Sequence, residues 1–201
     1  MYRQLSGPQS CSPMPKTRML ILLDQDGVLA DFELAFHKAW SLSGQSNPPL
    51  SLENRRSFYV RDDYPAECRG AVEAIYTSPG FYRNLPPIPG AVDAVMELLA
   101  AGHDVRIYTS PLTAYRNCVS EKYEWVEQHF GLDFVARLIV TKDKTIVHGD
   151  ILVDDKPDVT GTRSPDWRHV VFDQPYNRMS RAPRINWTDW RSVLLTSPVQ
   201  G

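Results

Sequence analysis

Short runs of consecutive apolar residues alternate with segments of helical periodicity along most of this sequence. Five runs are rich in Val, Ile and Leu and end in polar residues: MLILLD (19–24), DVRIYTS (104–110), RLIVTK (137–142), DILVDD (150–155) and HVVFDQ (169–174). Because apolar and polar positions do not alternate within them, these runs predict strands that are covered on both faces, as in parallel sheets. The pattern therefore predicts an α/β fold with a parallel sheet.

Helical periodicity is found between and after these strands. Residues 90–102 repeat apolar positions at helical spacing after a proline, and residues 113–130 do so again before a glycine. A last short helix is expected to begin at Thr188 or Asp189, whose side chains can cap free backbone amides.

The segment between the first strand and the Pro-rich LPPIPG (85–90) is too long for a simple crossover. It contains two helical patterns, FELAFHKAW (32–40) and AECRGAVEAIY (66–76), and we expect it to cover the carboxyl edge of the sheet. The predicted organisation is a disordered tail at 1–18, a core domain formed by 19–31 and 86–201, and a helical cap at 32–85 inserted after strand 1.

Composition and charge narrow the possible functions. A chain of 201 residues with 42% hydrophobic residues is typical of one soluble domain with a modest insertion. A net charge of −2 gives no overall basic field to hold a nucleic acid polymer or an anionic membrane. No apolar run approaches the ~20 residues that cross a bilayer. We expect a cytoplasmic protein, although the basic residues of the first 18 leave a mitochondrial location open.

Polar side chains stand at the carboxyl ends of four predicted strands. They are Asp24 and Asp26 after the first strand, Thr109 and Ser110 at the end of the second, Lys144 after the third, and Asp154 and Asp155 at the end of the fourth. Ligands of open α/β sheets bind at this edge. Any one of these residues alone is explained as a turn residue, but the set at four strand ends is not.

This set predicts a site for phosphoryl transfer. Clustered carboxylates repel one another unless a cation joins them, and hard oxygen ligands suit Mg²⁺ completed by water and phosphate oxygens. A lysine and hydroxyl groups complement the other phosphate oxygens. Asp150 is an alternative metal ligand in the GDxxxD pattern, but we prefer Asp154 because 151–153 predict the strand that delivers it. For Lys144 the alternative is a solvated surface lysine.

The motifs DQDGVLAD, YTSP, DKT and ILVDD, in this order, resemble the four motifs of the haloacid dehalogenase (HAD) superfamily of aspartate-nucleophile phosphatases. DGVLADFE, FYV, FYRNLPPIPGAVDA, EKYEWVE and GDILVDDKPD resemble one branch of it more closely, the 5′(3′)-deoxyribonucleotidases. The resemblance covers residues 19–195. It implies a three-layer Rossmann-like core with a small helical cap, a nucleotide substrate and a homodimer.

The resemblance also implies a role for each residue at the strand ends. Asp24 would be the nucleophile and Asp26 the general acid and base. Asp24, the backbone carbonyl of Asp26, and Asp154 would bind Mg²⁺, and Asp155 would contact these ligands. Thr109, Ser110 and Lys144 would bind the phosphoryl oxygens.

By the same resemblance, four cap residues would face the base and sugar of the nucleotide: Phe32, Phe58, Tyr59 and Val60. The alternative is that these side chains form the core of the cap, and Phe32 is most open to it because Phe32 and Phe36 fit one buried helical stripe. Trp40 and Tyr64 are expected to be core residues. Tyr59 stands where the vertebrate family members usually have Trp, which leaves base preference open.

The predicted activity is Mg²⁺-dependent hydrolysis of deoxyribonucleoside monophosphates through an aspartyl-phosphate. One alternative is a phosphatase of the same superfamily that acts on another small phosphoester, such as a sugar phosphate. The other is a non-catalytic phospho-acceptor that resembles a response-regulator receiver, although receivers lack a fifty-residue insertion after the first strand.

Overall fold

The computed structural model describes residues 18–46 and 48–195, so most of the predicted tail lies outside the described residues. Within these ranges six parallel strands form one sheet of order β3-β2-β1-β4-β5-β6. The strands are β1 (Leu20–Leu23), β2 (Asp104–Thr109), β3 (Leu138–Val140), β4 (Ile151–Asp154), β5 (Arg168–Phe172) and β6 (Arg184–Ile185). The five predicted strands are confirmed, and β6 is an addition at the edge of the sheet.

Five α-helices accompany the sheet in the described ranges: α1 (Phe32–Leu42), α2 (Arg69–Tyr76), α3 (Ala91–Ala100), α4 (Tyr115–Phe130) and α5 (Arg191–Leu194). The predicted start of the last helix is wrong, since α5 begins at Arg191. Asp189 Oδ1 accepts from the Asn186 amide at 2.9 Å, and the Thr188 amide donates to Asn186 Oδ1 at 2.7 Å. These two residues therefore form a turn with Asn186 that precedes the helix.

The sheet is covered differently on its two faces. On one face, Ile21, Leu23 and Ile107 pack in the main core with buried residues of α3, α4 and α5. On the other face, Leu22, Tyr108 and Leu152 pack against Trp167. Between β3 and β6 the chain forms short 3₁₀ turns and loops. The predicted parallel α/β fold is confirmed, and its third layer is made of these turns and loops.

No helix in the described ranges is both long enough and apolar enough to cross a bilayer.

Residues of α1, α2 and the loop between them build a second hydrophobic cluster. Its buried members are Phe36, Trp40, Val60, Tyr64, Cys68 and Val72. Trp40 and Tyr64 are core residues as predicted, with ring centroids 4.6 Å apart. The boundaries of the cap at residues 32 and 85 stay a prediction.

The chain leaves and re-enters the sheet region through two adjacent connections. The Asp31 amide donates to the Pro86 carbonyl at 2.7 Å, and the Ile88 amide donates to the Leu29 carbonyl at 2.8 Å. On the return side, Glu121 of α4 is buried and accepts from the amides of Gly80 and Tyr82. The position of the segment is therefore set by α4 as well as by the connections themselves.

Trp187 ties the C-terminal part of the chain to the loop after β1. Its indole Nε1 donates to the Val28 carbonyl at 2.7 Å, and its ring lies 5.3 Å from that of Phe172. We expect Trp187→Ala to lower the free energy of unfolding by about 3–5 kcal/mol, because it leaves a cavity and an unpaired carbonyl. Urea denaturation measures this change, and Met179→Ala, at a side chain that is 94% exposed, is the control. Equal midpoints for the two variants would contradict the role assigned to Trp187.

Candidate active site

The candidate site lies where the strand order of the sheet reverses. The chain builds β2 and β3 on one side of β1 and then places β4 on the other side. Asp24 directly follows β1, and its amide donates to the Val153 carbonyl of β4 at 2.9 Å. Asp154 is the last residue of β4. The two acids are therefore brought together at the switch point, where ligands of open α/β sheets bind.

Three buried carboxylates and one buried ammonium group form the centre of the site. Oxygens of Asp24, Asp154 and Asp155 lie within 4.8 Å of one another. Lys144 Nζ lies 2.7 Å from Asp24 Oδ2 and 2.6 Å from Asp154 Oδ2, and its side chain is 7% exposed. Lys144 is therefore part of the cluster, and the alternative of a solvated surface lysine is wrong.

Asp150, the alternative metal ligand, lies at the other edge of the sheet. It precedes β4, and its Oδ2 accepts from the Leu20 amide at 2.6 Å, at the start of β1. Three residues of β4 thus separate Asp150 from Asp154 at the carboxyl end of the strand, so Asp150 does not join the acidic cluster.

The cluster carries more negative than positive charge. Three carboxylates face one ammonium group, which leaves two negative charges when all four groups are ionised. Burial raises the pKa of Asp24 to about 6 against the opposing charge of Lys144, and Asp154 adds to the rise. Burial and the charges of Asp154 and Asp24 also raise the pKa of Asp155 well above its ordinary value. Burial is the main cause of both shifts, and the neighbouring carboxylates add to it.

A divalent cation fits this donor set. The donors are carboxylate oxygens, which hard cations prefer. Asp155 Oδ1 is buried and has no hydrogen-bond partner among the described residues, whereas its Oδ2 accepts from the Tyr176 hydroxyl. Two positive charges would balance the two that Lys144 leaves. The cluster therefore has the charge, the ligand type and an available oxygen for such an ion.

Gly27 allows the chain to turn tightly beside this cluster. Its φ is +76°, and the Gly27 amide donates to the Ala30 carbonyl at 2.8 Å. A Cβ at this position would lie 2.3 Å from Asp155 Oδ2. Only glycine lets the backbone after Asp24 pass this close to the buried carboxyl of Asp155.

Lys122, which the sequence analysis did not select, holds Asp26. The Nζ of this fully buried lysine donates to Asp26 Oδ2 at 2.5 Å and to Thr109 Oγ1 at 2.9 Å. The sequence feature that could have identified Lys122 is its position on the apolar face of α4, one turn from Cys118 and from Trp125, which are both buried. A charged residue on such a face needs a buried partner of opposite charge.

One cavity of about 740 Å³ joins the acidic cluster to the aromatic residues of the inserted segment. All eleven site residues selected from the sequence line it: Asp24, Asp26, Phe32, Phe58, Tyr59, Val60, Thr109, Ser110, Lys144, Asp154 and Asp155. Val60 is buried in the second hydrophobic cluster and Phe32 packs against it, so the alternative of a core role applies to these two in part. Tyr59 is 58% exposed and is one of the residues that line the cavity.

Comparison with known proteins identifies the family. Residues 18–199 match the family described as 5′ nucleotidase, deoxy (pyrimidine), cytosolic type C protein (NT5C). This chain belongs to that family. The human cytosolic 5′(3′)-deoxyribonucleotidase is 44% identical over 185 residues, which cover 87% of this chain and 92% of the human protein. A Bordetella pertussis protein whose name assigns it to the same family is 58% identical over 177 residues, covering 88% of this chain and 95% of that protein.

Solved structures show the HAD fold for this family member. A HAD family hydrolase of Deinococcus radiodurans superposes with a TM-score of 0.55 at 12% identity, covering 89% of this chain and 96% of that chain. A hydrolase of Pseudomonas syringae superposes with a TM-score of 0.51 at 13% identity, covering 89% and 98%. The predicted HAD-like fold is thus confirmed, and membership of the nucleotidase family makes the chain a phosphoric monoester hydrolase.

The effect of removing Lys122 on the rate should depend on how strongly the leaving group requires protonation. We expect Lys122→Met to lower phosphate release from an alkyl phosphate by about 10²-fold, because Asp26, the expected general acid, loses its partner. Release from p-nitrophenyl phosphate should fall much less, since p-nitrophenolate leaves without a proton. The difference is measured in kcat/KM, which reports the formation of the aspartyl-phosphate and not its hydrolysis, where Asp26 serves both substrates alike.

The control for this prediction is Lys38→Met, at an exposed lysine of α1, which should leave both rates unchanged. An equal loss of kcat/KM on the two substrates would contradict a role of Lys122 in positioning Asp26.

Proposed function

We propose that this chain hydrolyses deoxyribonucleoside monophosphates with the help of Mg²⁺, through a phosphorylated Asp24. The observation that supports this most strongly is the cavity, since it joins a buried acidic cluster to a wall of aromatic side chains. Such a cavity matches a ligand with a phosphate at one end and an aromatic base at the other. The names of the human and Bordetella relatives agree with this substrate class.

In the proposed first step, a carboxylate oxygen of Asp24 attacks phosphorus and the sugar oxygen leaves. Asp24 Oδ1 accepts from the Gln25 amide at 2.7 Å, and Oδ2 lies 2.7 Å from Lys144 Nζ, so the carboxylate is oriented from both sides. Asp26 donates its proton to the leaving sugar oxygen. The products are the nucleoside and an aspartyl-phosphate on Asp24.

In the proposed second step, Asp26 acts as a base. It removes a proton from a water molecule that attacks the aspartyl-phosphate, which returns Asp24 as a carboxylate and releases inorganic phosphate. Lys122 holds Asp26 Oδ2, and Asp26 Oδ1 has no hydrogen-bond partner among the described residues. Lys122 therefore fixes the orientation of the carboxyl group that would carry both proton transfers.

The remaining residues of the centre would bind charge. Thr109, Ser110 and Lys144 line the cavity beside Asp24 and would hold the phosphoryl oxygens. Asp24 and Asp154, with the carbonyl of Asp26, would hold Mg²⁺, and Asp155 would support them. The ion would screen the negative charge of the phosphate from that of the carboxylates.

The aromatic wall would bind the base. Phe58 and Tyr59 line the cavity, their ring centroids lie 5.0 Å apart, and Lys156 Nζ lies 5.7 Å from the Phe58 ring. Stacking on such rings tolerates different bases. We therefore propose that the wall selects a nucleoside over a bare sugar, with the segment 32–85 acting as a cap that closes the cavity.

We also propose a homodimer in the cytoplasm. Humans have both a cytosolic and a mitochondrial relative, at 44% and 40% identity, so cell fractionation is the test of location. Light scattering after size-exclusion chromatography is the test of assembly, and a monomeric mass would contradict the dimer.

A panel of substrates tests the proposed activity. We expect release of phosphate from dUMP and dTMP with Mg²⁺, loss of release with EDTA, and recovery when Mg²⁺ is restored, because the excess negative charge of the cluster then has its counter-ion. The 5′ and 3′ monophosphates and the ribose forms belong on the same panel. A preference for hexose phosphates over dUMP would favour the sugar phosphatase alternative.

Asp24→Asn tests the nucleophile. The amide is a poor nucleophile of nearly the same shape, so we expect a folded protein whose kcat falls at least about 10³-fold. The matched control is Asp150→Asn, at the acid on the opposite edge of the sheet, which should keep nearly full activity. Appreciable turnover by Asp24→Asn, with wild-type circular dichroism, would remove the assignment of Asp24.

A further inference from the structure

Arg55, in the loop between α1 and α2, is a buried arginine that the proposed mechanism does not use. It is 2% exposed. Its Nε donates to Glu33 Oε2 at 2.8 Å and its Nη2 donates to Glu33 Oε1 at 2.9 Å, which makes a two-point contact with α1. A second acid, Asp63, pairs with Nη1. Burying a charged group is costly, so an arginine whose charge is matched this fully by buried acids is expected to have a structural or functional role.

Arg55 and Asp63 together hold the backbone that leads to the aromatic wall. Arg55 Nη1 donates to the Ser57 carbonyl at 2.7 Å, and Nη2 donates to the Phe58 carbonyl at 3.5 Å. Asp63 Oδ1 accepts from the Ser57 amide at 3.0 Å. Both backbone groups of Ser57 are thus bound to one ion pair, directly before Phe58 and Tyr59.

The same guanidinium contacts the catalytic side of the cavity. Its Cζ lies 5.1 Å from the centroid of the Tyr176 ring, and the Tyr176 hydroxyl donates to Asp155. The Phe58 ring lies 6.1 Å from the Tyr176 ring in an edge-to-face arrangement. Arg55 therefore connects the segment that carries the aromatic wall to a residue bonded to the acidic cluster.

We infer that Arg55 is a positioning residue for substrate selection, which rests on the proposed function. It sets the distance and orientation of the Phe58–Val60 segment relative to the phosphate site, so that the enzyme binds the base and the phosphate of one nucleotide together. Tyr59 is largely exposed and receives little packing of its own, so its place depends on the backbone that Arg55 holds. The Glu33 contact fixes the other end of this support to α1, which begins six residues after Asp26.

The test compares two substrates that differ only by the base, dUMP and 2-deoxyribose 5-phosphate. Arg55→Lys keeps the charge but loses the planar, two-point contact. We expect KM for dUMP to rise about tenfold with kcat nearly unchanged, since part of the stacking energy of the base is lost. Both kinetic constants for deoxyribose 5-phosphate should stay close to wild type. The control is Arg56→Lys, at the neighbouring exposed arginine.

Asp63→Asn serves where Arg55→Lys does not fold, because it weakens the hold on Ser57 and leaves the Glu33 contact in place. It should raise KM for dUMP in the same direction by a smaller factor. Equal losses on both substrates, or no change on either, would overturn the inference. If the wild-type enzyme hydrolyses deoxyribose 5-phosphate with the same kcat/KM as dUMP, the proposed function is overturned, and the inference with it. If the preference for dUMP survives both substitutions, the inference alone is overturned.

Discussion

Three carboxyl groups and one ammonium group, held out of water where β1 and β4 end, are the constraint to which the rest of the site responds. Asp24 and Asp154 cannot move apart, because the Asp24 amide is bonded to the Val153 carbonyl inside a parallel sheet. Lys144 can balance only one of the three carboxylates, and burial together with the neighbouring acids raises the pKa of Asp24 and of Asp155. A divalent cation is the ligand whose charge and oxygen preference fit this costly arrangement.

The charge of Asp26 is compensated separately from that of the acidic cluster. Lys122 neutralises this acid from α4 and reaches Thr109 with the same ammonium group. Its neighbour Glu121 anchors the chain that returns from the inserted segment. One turn of α4 therefore supports the expected general acid and the wall of the cavity at once, and Arg55 supports the opposite wall from within the insertion.

The sequence predicts those parts of the protein whose signals are local. Five strands, the helices α1 to α4 and the acids at the strand ends follow from short apolar runs, helical periodicity and position. The two-residue strand β6 has no such signal, because Arg184–Ile185 is too short to show a pattern. The start of α5 was misplaced because Thr188 and Asp189 bond to Asn186, an equally common use of these side chains.

The residues missed in the site are those defined by distant contacts. Lys122 lies 96 residues from Asp26, and Tyr176 lies 21 residues from Asp155, so no local spacing links them. Arg55 resembles any arginine of a polar loop until the fold buries it against Glu33. Such residues can be identified only once the fold shows that their charge is buried and which groups of opposite charge compensate it.

The most direct measurement of the central claim is a crystal structure with Mg²⁺ and beryllium fluoride, which mimics an acyl phosphate. The account predicts one Mg²⁺ bound by Asp24 and Asp154, and beryllium bonded to a carboxylate oxygen of Asp24, with Lys144 contacting fluorine. A metal bound away from these two acids, or a fluoride adduct on any residue other than Asp24, would contradict it.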